Sequence, residues 1–216
     1  NAVEITEGFE GTSFPPLDWT VTTTNTGAAN SSGVYPTWCR FGNITVGTTA
    51  LTYSDPLTLK TAGNIAVSAG ARLTGAAGQN ASLVLWSDAD ASGDGNISLP
   101  GTGAGAIAID TNGGHLWMGG SATNGGASSW NGLTVGNGYA TGTAVQSIGV
   151  FLHGTTITSD NGNVAIYGDS TVQAKAGGDA ANHTEGIRFG GTNPVNINSG
   201  TGTILMDGIA RGTTGW

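Results

Sequence analysis

The chain has 216 residues, 39 of them Gly, with a net charge of −8 and only six Lys and Arg. Charged residues make up 9% of it, against about 25% in ordinary soluble domains, and Gly follows no G-x-y period, which excludes collagen. The shortage of basic side chains argues against a nucleic-acid partner, and with no apolar run of spanning length no membrane insertion is expected.

Residues 1–45 carry much of the aromatic and proline content: Phe9, Phe14, Pro15, Pro16, Trp19, Tyr35, Pro36, Trp38 and Phe41. A Pro-Pro pair cannot sit in a central strand, so the stretch reads as short strands and a loop with their own apolar cluster. Its single Cys39 excludes an intramolecular disulfide and reads as a small buried residue. The string EGFEGTSFPPLDWTV resembles the opening of the jelly-roll domains of cleaved-adhesin and MAM-like surface proteins. Too little chain follows for a whole jelly roll. We therefore expect a small N-terminal β cap at 1–45, covering strand edges that an uncapped solenoid would expose.

Residues 46–216 form a repeat region. Its clearest copies are AIAIDTNGGHLWMGG at 106–120, TTITSDNGNVAIYG at 155–168 and VNINSGTGTILMDG at 195–208. Ile109, Ile157 and Ile197 align, as do Gly114, Gly162 and Gly202, then Leu116, Val164 and Ile204, then Met118, Ile166 and Met206. Looser copies lie at 57–70, 83–101 and 133–135. The starts at 57, 83, 107, 133, 155 and 195 are spaced by about 24 residues, apart from the last. Such a period suits one coil of three short strands. A third strand shows late, where GVFLHG at 149–154 matches GIRFGG at 186–191, and the long last gap has room for an insertion at 175–186. The expected fold is all-β: a right-handed parallel β-helix of about six coils. A sandwich of hairpins is the nearest alternative, since each copy also reads as strand, Gly turn, strand.

The strings GNIAVSAG, GNISLPG and GNVAIYG resemble the β-helical region of filamentous-haemagglutinin-like bacterial adhesins, and large repetitive adhesins of gliding and biofilm-forming bacteria match equally well. The resemblance spans the repeat region and implies a secreted, cell-surface protein that works in adhesion or as part of a filament. The secretion domain of two-partner-secreted haemagglutinins is not evident. The last residues, GIARGTTGW, follow a strand pair without an amphipathic cap. This suggests either continuation in a longer protein or docking of the last coil on another chain.

Two constellations could carry function. Asp88, Asp90, Ser92 and Asp94 alternate before a Gly in DADASGDG, similar to the start of an EF-hand-like calcium loop. The pattern departs at Gly95 and Leu99, where such a loop has an apolar residue and a bidentate Glu. The turn therefore reads first as a solvated Asp/Gly turn at a repeat corner, with Ca2+ as the second reading. Strand alternation places Trp86, Trp117 and Tyr167 on the side opposite the core residues. There they would either stack on sugar rings or pack under a long loop such as 119–131.

Catalysis finds no support in the sequence. Polysaccharide-active β-helices gather carboxylates with Lys or Arg on one face. Here Arg40, Lys60, Arg72, Lys175, Arg188 and Arg211 share no repeat position with a carboxylate cluster, and His115, His153 and His183 lack metal-ligand spacing. The expected function is therefore a non-enzymatic structural segment of an extracellular bacterial adhesin or filament. Its expected partners are neighbouring copies or further repeats of the same protein, with host or environmental surface glycans as a further possibility. A carbohydrate-binding module is the alternative, and a polysaccharide-active enzyme comes third.

Overall fold

Strands such as Ile44–Val46, Ile65–Val67, Ile97–Pro100 and Ile107–Asp110 follow Gly- or Asn-rich corners and alternate apolar with small residues, so each buries one side. The computed structural model describes residues 4–6, 42–48, 50–143, 145–170 and 185–211, and among these there is no helix. The strands stack into three parallel faces. The first holds β2 (Ile44–Val46), β5 (Ile65–Val67), β8 (Ile97–Pro100), β14 (Val150–His153) and β17 (Ile187–Phe189). The second holds β3 (Ala50–Tyr53), β6 (Arg72–Gly75), β9 (Ile107–Asp110), β15 (Thr155–Thr158) and β18 (Asn196–Asn198). The third holds β4 (Leu57–Lys60), β7 (Leu83–Trp86), β10 (Leu116–Gly119), β16 (Val164–Asp169) and β19 (Ile204–Ile209). The chain visits the faces in turn, one strand on each per coil. This is a parallel β-helix of five coils among the described residues.

The core is a set of side-chain ladders. On the second face Leu51, Leu73, Ile109, Ile157 and Ile197 stand in register. On the third face the ladder runs Leu57, Leu83, Leu116, Val164 and Ile204. On the first it runs Ile44, Ile65, Ile97, Val150 and Ile187. In the inner coils these side chains are fully buried. The equivalences read from 106–120, 155–168 and 195–208 therefore hold, as does the match of 149–154 with 186–191.

Coil number and phase differ from expectation. The strands at 57 and 83 lie on the third face, whereas those at 107, 155 and 195 open on the second, so the series mixes two faces. The copy at 133 is no coil: it is β12 (Leu133–Gly136), which pairs antiparallel with β11 (Ala127–Trp130) in a hairpin inserted between β10 and β14. Five coils replace six, and the near-24 period dissolves. Equivalent corner residues are 21 and 32 apart along one column, and 33, 48 and 40 apart along another. Turns absorb the difference, which a solenoid tolerates because loop insertions leave the strands stacked.

Polar side chains tie the corners together. Asn43 Oδ1 accepts the Asn64 N–H at 2.8 Å, and Asn64 Oδ1 accepts the Asn96 N–H at 2.8 Å. On the next column Ser82 Oγ accepts from His115 N, His115 Nδ1 from Asn163 N and Asn163 Oδ1 from Thr203 N, each at 2.9 Å. Such ladders satisfy corner N–H groups that the sheets leave over.

Of the expected cap, β1 (Glu4–Thr6) is described, paired antiparallel with the outer edge of β4. The aromatic and Pro residues 9–41, Cys39 and most of 175–186 lie outside the described residues. A short β13 (Ala140–Thr141) runs parallel to the end of β16, where β10 has stopped.

Candidate functional site

The inserted hairpin turns at Asn131-Gly132, with φ of 48° and 79°. Two successive positive φ values make a type I′ turn, whose twist matches paired strands. Trp130 and Leu133 stand opposite one another, as do Ser128 and Val135. That face of the hairpin lies against the outside of the third face.

Trp86 and Trp117 alternate with the core residues Leu85 and Met118, so they point outward as expected. They are nevertheless only 2% exposed. With Val84, Ala89, Val135 and Ala165 they form a second apolar cluster outside the barrel, against which Trp130, Leu133 and Tyr167 pack. The two indoles meet edge to face at 6.4 Å and 74°. Trp86 Nε1 donates to Ser121 Oγ at 2.9 Å, and Lys60 Nζ sits 3.3 Å over the Trp86 ring. The ring of Trp117 lies over Gly119, in the space a Cβ would occupy. An open stacking row of Trp86, Trp117 and Tyr167 is thus not formed, because burying two indoles under Leu133 and Val135 removes a large apolar area from water.

What stays open is the mouth between hairpin and sheet. A cleft of about 310 Å³ is lined by Trp117, Trp130, Tyr139 and Tyr167, with Ser128, Ser129 and Asn137 among its polar residues. Tyr167 tilts against Trp117 at 6.1 Å and meets Tyr139 edge to face at 5.8 Å. Tyr139 Oη donates to Asp207 Oδ2 at 2.8 Å, which raises the Tyr139 pKa. Asn137 Oδ1 accepts the Ala122 N–H at 2.8 Å and anchors the hairpin root. Trp130, Tyr139 and Asn137 were not singled out in the sequence. The available signal was Asn131-Gly132 between ASSW and LTVG, a strong short-range hairpin mark.

The acidic turn is built differently from a calcium loop. Asp88 is 1% exposed, with its Oδ1 accepting Ser92 Oγ at 3.1 Å and Gly93 N–H at 3.2 Å. Asp90 Oδ1 accepts the Ser92 N–H at 3.2 Å, and Asp94 is exposed. Among the described residues no group of three or more His, Cys, Asp or Glu is placed to hold a metal ion, and Asp88, Asp90 and Asp94 form no such group. The physical reason is that the carboxylates close the turn itself. Burial raises the Asp88 pKa, with the Thr141 hydroxyl and the Ser92 and Gly93 donors opposing. The same turn holds the hairpin root, through paired Gly95 and Thr141 backbone bonds of 3.0 and 2.9 Å.

His115 links the corner ladder to the cleft. Its ring meets Trp130 edge to face at 5.7 Å, while its Nδ1 must be unprotonated to accept from Asn163. Burial lowers its pKa. A His whose folded pKa lies below its unfolded value contributes stability above that unfolded value, and loses it as pH falls through the folded one. We therefore expect stability to drop on acidification below about pH 6.5. His115→Asn, supplying the amide oxygen used at Asn43 and Asn64, should flatten that slope at a cost near 1 kcal/mol or less. Melting temperatures of the two proteins from pH 7 to pH 5 check this; parallel curves would remove His115 as the cause.

A charged pair ties the ends of two segments together: Arg211 Nε and Nη2 clamp the Asp169 carboxylate, both at 2.8 Å. Comparison with protein-family models, curated proteins and solved structures found no match to this chain.

Proposed function

We propose that the chain is a non-enzymatic structural segment of an extracellular bacterial surface adhesin or filament. The observation that supports this most is the last coil. Its inward residues continue the ladders, yet Ile204 is 44% exposed and Met206 37%, with Phe189 at 51%. Among the described residues β17, β18 and β19 each pair on one side only, which leaves three parallel edges and an apolar floor. An open edge of this kind is a template for another strand. A further coil, of the same chain or of a neighbouring copy, would satisfy all three edges at once. The surface fits an extracellular rod, with Thr, Ser, Asn and Gly in place of charge. Each coil adds about 4.8 Å of length, so reach scales with copy number.

Light scattering across a hundredfold concentration range, with electron microscopy of the same samples, tests the reading. End-to-end rods or concentration-dependent growth are expected. Growth should be abolished by Leu205→Lys with Met206→Lys at the open end. A particle that stays a monomer at every concentration and shows no longer parent filament in native material would refute it. The carbohydrate-binding reading draws on a different observation: the aromatic cleft, which a rod has no structural need to leave open.

A further inference from the structure

We propose that the cleft between the inserted hairpin and the third face is a binding site for a neutral saccharide, seated against Tyr167 and Trp130. Three features select that chemistry. The first is the lining, which pairs aromatic rings with hydroxyl and amide groups: Trp117, Trp130, Tyr139 and Tyr167 beside Ser128, Ser129 and Asn137. A pyranose has the complementary make-up, with an apolar C–H face and a rim of hydroxyls. Buried ligand surface with a few oriented polar contacts is the usual form of a small-molecule site, and about 310 Å³ lies at the small end of that range.

The second feature is charge. Among the described residues no Lys, Arg or His lines the cleft, and the chain carries a net −8, so an acidic sugar or phosphate would lack a counter-charge. A cation is also poorly served. The nearby Asp207 carboxylate accepts the Tyr139 hydroxyl at 2.8 Å, and Asp169 is clamped by Arg211. The ligand is therefore uncharged.

The third feature is the way the aromatic surface is divided. Trp86 and Trp117 are 2% exposed and hold the hairpin, whereas Trp130, Tyr139 and Tyr167 remain partly exposed around the opening. The packing work is done by one set of rings and the open rim by another. Asn137 keeps its amide N–H donors, since its Oδ1 is the atom bound to Ala122. Tyr139 Oη donates to Asp207, so toward a sugar it acts as an acceptor.

The inference is independent of end-to-end assembly and is tested on the soluble protein at a concentration below any growth. The probes are cellohexaose, mannohexaose and chitohexaose, followed by tryptophan fluorescence and calorimetry, with tetramethylammonium and an acidic hexauronate as contrasts. Saturable binding of at least one neutral probe is expected, with Kd of about 1 mM or tighter. Tyr167→Ala and Trp130→Ala should each weaken it about tenfold, while Tyr167→Phe keeps the ring and keeps the affinity. Ser128 is exposed, lines the cleft and shares the sheet-facing side of the hairpin with Trp130, so Ser128→Trp should fold normally and fill the mouth, abolishing binding even if an alanine variant is destabilised. No saturable binding by any neutral probe would overturn the inference. So would binding that Ser128→Trp leaves intact, or binding of tetramethylammonium or the hexauronate alone.

Discussion

Ile157→Asp should cost more than about 5 kcal/mol and remove cooperative folding from the last coils. Ile157 is fully buried, stacked on Ile109 in the coil before and Ile197 in the coil after. Losing its side chain alone costs about 2–5 kcal/mol. An unpaired carboxylate in the same place adds several more, or is protonated at comparable expense. The total approaches the entire stability of a typical domain, about 5–15 kcal/mol. In a solenoid each coil is held mainly by its neighbours, so β14 to β19 should lose amide protection before β4 to β10 do. The matched control is Thr156→Asp. It lies one residue away on the same strand, but exposed, and should stay within about 0.5 kcal/mol of the parent. Hydrogen exchange and melting of the pair give the test. Equal stability of the two variants would mean the register of the second face is wrong.

That contrast also marks what could be read from the residues alone. Period-2 alternation at Ile107 and Ile109, at Leu116 and Met118 and at their later counterparts specified which side of each strand is buried, because a one-residue slip would expose the whole set. Phase around the barrel could not be read in the same way. The motif Gly-Asn followed by an apolar residue opens strands on the first face at 42, 63 and 95, yet on the third face at 162. It reports a corner whose Asn oxygen bonds the next coil, and the helix has more than one such corner. Copies aligned on it slide from one face to another. Leu133 and Val135 deceived for a related reason, since alternation is the same in an inserted hairpin as in a coil. Of the site, Trp117 and Tyr167 were legible as outward aromatics. What covered them was not, because burial of an outward side chain depends on a segment elsewhere in the chain.

Gly162→Ala should destabilise the protein by about 2–4 kcal/mol and lower its melting temperature by roughly 5–15 °C, although a single methyl group is added. Gly114, Gly162 and Gly202 form a column at one corner, each pressed on the carbonyl of the residue below. A Cβ on Gly162 would fall on Gly114 O, 2.6 Å from Gly114 C and 3.0 Å from Ser159 O. These are backbone atoms and cannot rotate away. The fourth coil would have to lift off the third, stretching the Asn163 N–H bond to His115 Nδ1 and the Leu116 N–H bond to Asn163 O, both 2.9 Å. The contrast is Gly47, where no heavy atom lies within 4 Å of the added carbon and φ is not left-handed. There the same substitution should be neutral, or stabilising by about 0.4–1 kcal/mol through the unfolded chain. The two positions thus separate close coil contact from glycine content as such. If Gly162→Ala melted with the parent while Gly47→Ala did not, the corner column could not be where the coils meet.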